Sequence, residues 1–315
     1  PLICAESQRD GCGWSEIVIN QPVRAFVAGC GYVGERIARA EEHLGSTVSG
    51  LVCRRDRAAT LKGKGLNVIG YDLDQPQSVA DLSVAGALVY YLIPPPRQGE
   101  RDVRIRAWLD GLSDSALPLR VILISTTGVY GDCQGDWVNE SRHVQPKAPR
   151  ARRRVDAEAA FANWRRRTGV TGVVLRVPGI YGPERLPLKR LRSGQPIVAA
   201  DEAPWSNRVH VDDLCRACLA AARIENPHAI YNVSDGHPST MTDFFFQAAT
   251  ALGLPRPPTI SAARAQATLS EGMLSYLAES KRIDNTRMRN HLRIDPEFPD
   301  LVRGFADAVR RSTQA

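Results

Sequence analysis

The chain has 315 residues, 43% of them hydrophobic, enough apolar material for one large α/β domain or a closely packed pair. Its longest purely apolar runs, such as Val121-Ile122-Leu123-Ile124, fall far short of the roughly 20 residues needed to span a bilayer, so no membrane segment is expected. The net charge of +7 concentrates between Arg150 and Arg167, without interleaved aromatics or a recognised nucleic-acid-binding module. A solvated helix face or an anionic small ligand therefore explains it better than nucleic acid.

Residues 1–23 have neither the basic start with a continuous apolar stretch nor the cleavage site of a secretory leader, and read as an extension outside the main fold. From residue 24 onward short apolar strands alternate with helical stretches. The strands run near Arg24 to Ala28, Thr47 to Val52, Asn67 to Tyr71, Ala87 to Ile93, Leu119 to Ser125 and Gly172 to Arg176. Crossover helices fall at Arg101 to Leu112 and Ala151 to Thr168. Continuous apolar strands separated by helices indicate a parallel sheet covered on both faces. The expected fold class is α/β: a Rossmann-type doubly wound parallel sheet over residues 24–177. A smaller C-terminal lobe follows over 178–315, partly interleaved with the sheet, with helices near Asp212 to Ala222 and Met241 to Leu252.

The seven cysteines are odd in number and scattered, which fits a reducing cytoplasm. Cys215 and Cys218 make a lone CxxC with no second pair and no histidine at metal spacing, so they read as packing residues and no metal is expected.

The first strand runs into Gly29-Cys30-Gly31-Tyr32-Val33-Gly34, a GxGxxG between a strand and a helix. Gly29 permits the tight turn, Gly31 the approach of backbone to a pyrophosphate, and Gly34 the close packing of helix on strand. The second strand ends in Arg54-Arg55, with no carboxylate before Asp56. Guanidinium groups there suit a 2′-phosphate, so NADP is favoured over NAD.

Later motifs, in order, resemble the extended branch of the short-chain dehydrogenase/reductase superfamily, the NAD(P)-dependent epimerases and dehydratases. They are Gly70-Tyr71-Asp72-Leu73-Asp74, Ser125-Thr126-Thr127-Gly128-Val129-Tyr130-Gly131, Leu175-Arg176-Val177-Pro178-Gly179-Ile180-Tyr181-Gly182-Pro183, Arg208-Val209-His210-Val211-Asp212-Asp213 and Tyr231-Asn232-Val233. The resemblance implies that Thr126 is the catalytic hydroxyl and that Asp72, Leu73, Ile93, Thr126, Arg154 and Val177 join Gly29 to Gly34, Arg54 and Arg55 around the cofactor. It also implies a substrate site with Tyr181, Arg208 and His210, and a homodimer through the two crossover helices. The arginines of the second crossover helix weigh against that interface.

One departure matters. The family pairs a proton-transferring tyrosine with a lysine four residues on; counting from Glu158, Arg150 and Arg154 occupy those positions. Arg154 can still donate to a ribose hydroxyl, but a guanidinium stays protonated and cannot be a general acid or base. The expectation is therefore an atypical NADP-binding oxidoreductase, epimerase/dehydratase-like, whose proton donor has moved to Tyr181, Tyr130, His143 or His210. The alternative is a noncatalytic NADP-binding sensor or regulatory protein. Arg208, with Lys189, Arg190 and Arg192 nearby in sequence, points to a small anionic substrate bearing phosphate or carboxylate, unless Arg208 only braces the lobe against Asp212 or Asp213.

Overall fold

A computed structural model describes residues 23–75, 82 and 84–313, so the expected N-terminal extension lies almost wholly outside the described residues. β1 (Arg24–Ala28), α1 (Tyr32–His43), β2 (Thr47–Val52), α2 (Arg55–Gly63) and β3 (Val68–Gly70) form the first half of the α/β unit. β4 (Leu88–Tyr91), α3 (Val103–Asp110), β5 (Arg120–Thr126), the short β6 (Trp137–Val138), α4 (Pro149–Thr168) and β7 (Thr171–Val177) follow. The chain then leaves the sheet through β8 (Gly179–Tyr181), α5 (Leu188–Arg192), β9 (Ile197–Val198), β10 (Trp205–Ser206) and β11 (Arg208–His210), and returns with α6 (Val211–Arg223) and β12 (Ile230–Asn232). The last stretch holds β13 (Ser239–Thr240), α7 (Met241–Ala251), β14 (Thr259–Ile260), α8 (Ala262–Thr268), α9 (Glu271–Leu277), β15 (Arg282–Ile283), α10 (Thr286–Leu292) and α11 (Leu301–Ser312).

Seven strands pair in the order β12-β7-β5-β4-β1-β2-β3, all parallel. Parallel strands covered on both faces need side chains that are apolar in both directions. β5 meets that demand with four consecutive buried apolar residues, Val121 to Ile124. One face is filled from α1 and α6 by Ile37, Ala38, Leu214 and Leu219 against Val27 and Leu175. The other is filled from α3 and α4 by Trp108, Leu109, Phe161 and Trp164 against Phe26 and Leu123. A third cluster, with Tyr181, Phe245, Leu301 and Phe305, is the core of the lobe. No helix among the described residues is long and apolar enough to cross a membrane.

α4 begins at Pro149, whose missing amide costs nothing in a first turn, and stops at Gly169, left-handed at φ 73°. Cys215 and Cys218 are both buried on α6, and burial pushes both thiols up. Cys215 Sγ lies 3.9 Å from the Val33 carbonyl, so this CxxC seats α6 on α1. The strand order reverses between β1 and β4, and a crevice at such a switch point, outside the carboxyl ends of the strands, is where open α/β sheets take ligands.

Candidate cofactor and substrate site

The turn after β1 is built for close approach. Gly29 has φ +101°, and a Cβ on Gly34 would stand 2.3 Å from the Gly29 carbonyl oxygen, so only glycine lets α1 lie this near β1. The Gly29 and Cys30 amides donate to the Leu51 carbonyl at 3.0 and 2.8 Å, tying the turn to β2. Beside Gly31, by contrast, a Cβ would meet nothing within 4 Å. No side chain caps α1, so the first-turn amides of Tyr32, Val33 and Gly34 stay available to an anion. An open glycine face at an uncapped helix start fits a dinucleotide pyrophosphate.

The neighbouring side chains divide between open and committed. Cys30 is buried beneath the turn, its thiol pushed up to about 12 by desolvation. The Tyr32 hydroxyl donates to the Pro183 carbonyl at 2.6 Å, leaving this residue only its amide to offer. Arg54 and Arg55 are exposed beyond β2, and among the described residues Arg54 meets only Asp56, at 3.6 Å, with both side chains 72% exposed. Past β3, Asp72 accepts from the Asp74 amide at 3.0 Å, Asp74 is gripped by Arg104, and Leu73 packs on the α3/α4 side of the core, where Ile93 is also buried. Val177 is buried too, so Pro178 supplies the cavity wall there.

A cavity of about 610 Å³ opens beyond the strand ends, between the sheet and the lobe. Thr126 and Gly128 from the end of β5, Pro94 to Arg97 after β4, and Arg150 and Arg154 of α4 line one side. Arg150 and Arg154 are one helical turn apart and so share a face. Arg154 donates to the Ile93 carbonyl at 3.4 Å, and burial lowers its hold on its proton. Arg150 donates to the Ser275 hydroxyl and, at 3.4 Å, to the Ser275 carbonyl, and its guanidinium lies 4.1 Å from the centre of the Tyr276 ring.

Behind this wall, Glu158 accepts from Arg176 Nη2 at 2.7 Å and Nε at 3.2 Å, and also from the Ser125 hydroxyl. Arg176 lies 4.8 Å from the Tyr130 ring centre, and Tyr130 donates to Asn232 at 2.7 Å. The ends of β5, β7 and β12 are thereby fixed together.

The side chains expected to replace the family tyrosine lie elsewhere. Tyr130 is buried in the network just described, and His143 is exposed on the loop after β6; neither lines the cavity. Tyr181 is 1% exposed, donates to the Asp300 carbonyl at 3.3 Å, and has its phenol driven well above the usual range by burial. His210 is fully buried and caps α6, accepting from the Asp212 amide at 3.4 Å; burial holds its pKa below the usual value. Both are absent from the cavity wall, so the expectation that Tyr181 and His210 contact substrate does not match their packing in the lobe core. His210, Asp212 and Asp307 form the one metal-like cluster among the described residues, but Arg36, Arg310 and Arg311 neutralise its carboxylates.

Arg208 does line the cavity. Its Nη1 donates to Ser206 Oγ at 2.6 Å and to the Asn207 carbonyl at 2.8 Å, with the guanidinium 4.4 Å from the Phe244 ring centre. It pairs with neither Asp212, which meets Arg36 and Arg311, nor Asp213, which meets Arg216 and the amides of Glu297 and Phe298. Asp235 is buried nearby with Oδ2 unpartnered, and desolvation raises its carboxyl to about 8. Burial lowers Arg208 to about 10 against the opposing pull of Asp235, so the guanidinium that lines the cavity keeps its charge, with no salt bridge among the described residues. Lys189, Arg190 and Arg192 lie on α5, outside the wall. Tyr276, Glu279, Lys281 and Arg97 do line it, and nothing in their local sequence marks them.

The sheet order, the glycine turn and the cavity over the strand ends define an NAD(P)-binding Rossmann protein of the extended short-chain dehydrogenase/reductase type. Residues 25–234 match the NAD dependent epimerase/dehydratase family, to which the chain belongs. The chain is 29% identical over 287 residues to the protein YeeZ of Escherichia coli strain K12, covering 88% of this chain and 97% of that one. A functionally unknown conserved protein from Silicibacter pomeroyi DSS superposes with a TM-score of 0.76 at 25% identity, covering 93% and 99% of the two chains. The UDP-glucuronic acid 4-epimerase of Bacillus cereus, solved with UDP-glucuronic acid and NAD, shares the fold with a TM-score of 0.72 at 17% identity over 92% and 99%.

Proposed function

We propose that this protein binds NADP(H) and acts on a small anionic, sugar-like substrate as an atypical epimerase/dehydratase-like oxidoreductase. The observation that carries the reading is the Arg208 guanidinium, without a salt bridge among the described residues, in the same cavity as Thr126, Arg150 and Arg154. The glycine turn would hold the pyrophosphate, Arg54 and Arg55 a 2′-phosphate, and Arg154 the ribose on the nicotinamide side. A bound nicotinamide supplies or accepts hydride; the chain orients the substrate and manages its proton. Arg208 holds the anionic end, and Thr126 offers its hydroxyl to the reacting oxygen. The Bacillus cereus neighbour with its bound UDP-glucuronic acid supports a sugar-like anion.

Two measurements test this. By calorimetry NADP+ binds more tightly than NAD+, and the double substitution Arg54→Ala, Arg55→Ala costs about 1.5–3 kcal/mol of NADP+ binding. Equal affinity of the unmodified protein for both cofactors refutes the preference. With NADP+ present, Arg208→Ala weakens binding of UDP-glucuronic acid by about tenfold or more, and Arg208→Lys falls between, since it keeps the charge and loses the planar fork. Unchanged binding in Arg208→Ala removes the anion site. A second reading, a noncatalytic NADP sensor, draws on Arg150 at the tyrosine position, and it implies cofactor binding without turnover of any carbonyl substrate.

A further inference from the structure

We propose that Tyr276, carried in from α9, is the proton donor and acceptor of this site; the inference rests on reading the cavity as a place of hydride transfer. Among the described residues the cavity wall has no aspartate, histidine or cysteine. Its arginines stay protonated, and serine and threonine hydroxyls yield a proton only to a partnering base. Glu279 and Lys281 are spent on each other at 2.7 Å, with side chains only 9% and 8% exposed, and Lys281 also donates to the Gly131 carbonyl at 2.6 Å. Tyr276 is what remains.

Its setting suits the role. All eight tyrosines of the chain are described; Tyr276 is 57% exposed, six others are buried, and Tyr32 is committed to Pro183. Arg150, at the position where the family has its tyrosine, lies 4.1 Å from the Tyr276 ring centre and is held there by Ser275. Arg208 lines the same cavity as Tyr276. The Arg150 guanidinium over the face of Tyr276 holds the ring at the cavity wall. Arg150 is then a positioning residue.

In the direction of reduction, the Tyr276 O–H bond breaks and its proton goes to the oxygen of a substrate carbonyl, while the carbonyl carbon receives the hydride that a reduced nicotinamide cofactor supplies. The carbonyl is reduced to an alcohol, the cofactor is oxidised, and the phenolate recovers a proton from water. Oxidation of the alcohol is the reverse.

The experiment uses the full chain, NADPH and 4-carboxybenzaldehyde, whose carboxylate suits Arg208. Tyr276→Phe is expected to bind NADP+ with the Kd of the unmodified protein and to oxidise NADPH with this aldehyde about 100-fold more slowly. In the unmodified protein, NADP+ with 4-carboxybenzoate slows acetylation of Tyr276 by N-acetylimidazole, mapped by mass spectrometry. Arg150→Ala lowers kcat at unchanged KM, and Arg150→Lys recovers part of it by returning the charge. Turnover by Tyr276→Phe within about threefold of the unmodified protein, zero turnover in both included, overturns the proposal. So does acetylation that the two ligands leave unchanged. Calorimetry separates the failures: NADP+ binding with an unprotected Tyr276 overturns this assignment alone, whereas absent NADP+ binding overturns the functional reading beneath it too.

Discussion

Glu158→Ala unfolds at a markedly lower denaturant concentration than the unmodified chain, at a cost of about 3–5 kcal/mol, the range expected when one member of a buried ion pair is removed. The side chains of Glu158 and Arg176 are only 11% and 5% exposed, and the carboxylate accepts two bonds from Arg176 and one from Ser125. Removing it strands a guanidinium in the interior, where Arg176 Nη1 already has no hydrogen-bond partner among the described residues. Replacing both charges, as in Glu158→Leu with Arg176→Met, recovers most of the loss, because no unpaired charge is then left inside. Urea titration of the three proteins checks this. A loss below about 1 kcal/mol in Glu158→Ala would mean that the pair behaves as a solvent-exposed one. Because Ser125 precedes Thr126 on β5 and Arg176 precedes Val177 on β7, the single variant also loosens the cavity wall.

Gly34→Ala loses both stability and NADP+ binding, whereas Gly31→Ala loses binding alone. A Cβ on Gly34 would stand 2.3 Å from the Gly29 carbonyl oxygen and 3.0 Å from Val27 Cγ1, so α1 must move off β1. Overpacking of that kind costs about 1–3 kcal/mol, and here the atom in the way is backbone, which yields little. The Gly31 methyl meets no protein atom within 4 Å and instead fills the space a pyrophosphate needs. Thermal unfolding and NADP+ calorimetry on both variants separate the two roles. A Gly34→Ala protein that melts with the unmodified one, or a Gly31→Ala protein that binds NADP+ as well, contradicts the assignment.

These two glycines show what was legible in the chain before any fold was known. The spacing Gly29, Gly31, Gly34 answers to local sterics, since a missing Cβ matters within a few residues of itself. The apolar run of β5 reads as a buried strand for the same reason, and the observed element, Arg120–Thr126, lies within a residue of the expected Leu119 to Ser125. That Arg150 and Arg154 stand at the family's tyrosine and lysine positions is what the resemblance implies, counted from Glu158; their spacing of four by itself says only that they share a helix face.

What the side chains do with each other was settled only by packing. Tyr181 and His210 carry the right chemistry at the right place in the motif, yet the aromatic cluster of the lobe encloses them. Whether Arg208 braced the lobe turned on which arginines reach Asp212 and Asp213. Tyr276 meets Arg150 across 126 residues of chain, in a seven-residue helix with no buried residue of its own, so no local pattern announces it. Short-range backbone sterics and hydrophobic periodicity are properties of the sequence itself. The partner a long charged or aromatic side chain selects depends on distances through space and on the loss of water around it, and those exist only once the lobe has closed over the sheet.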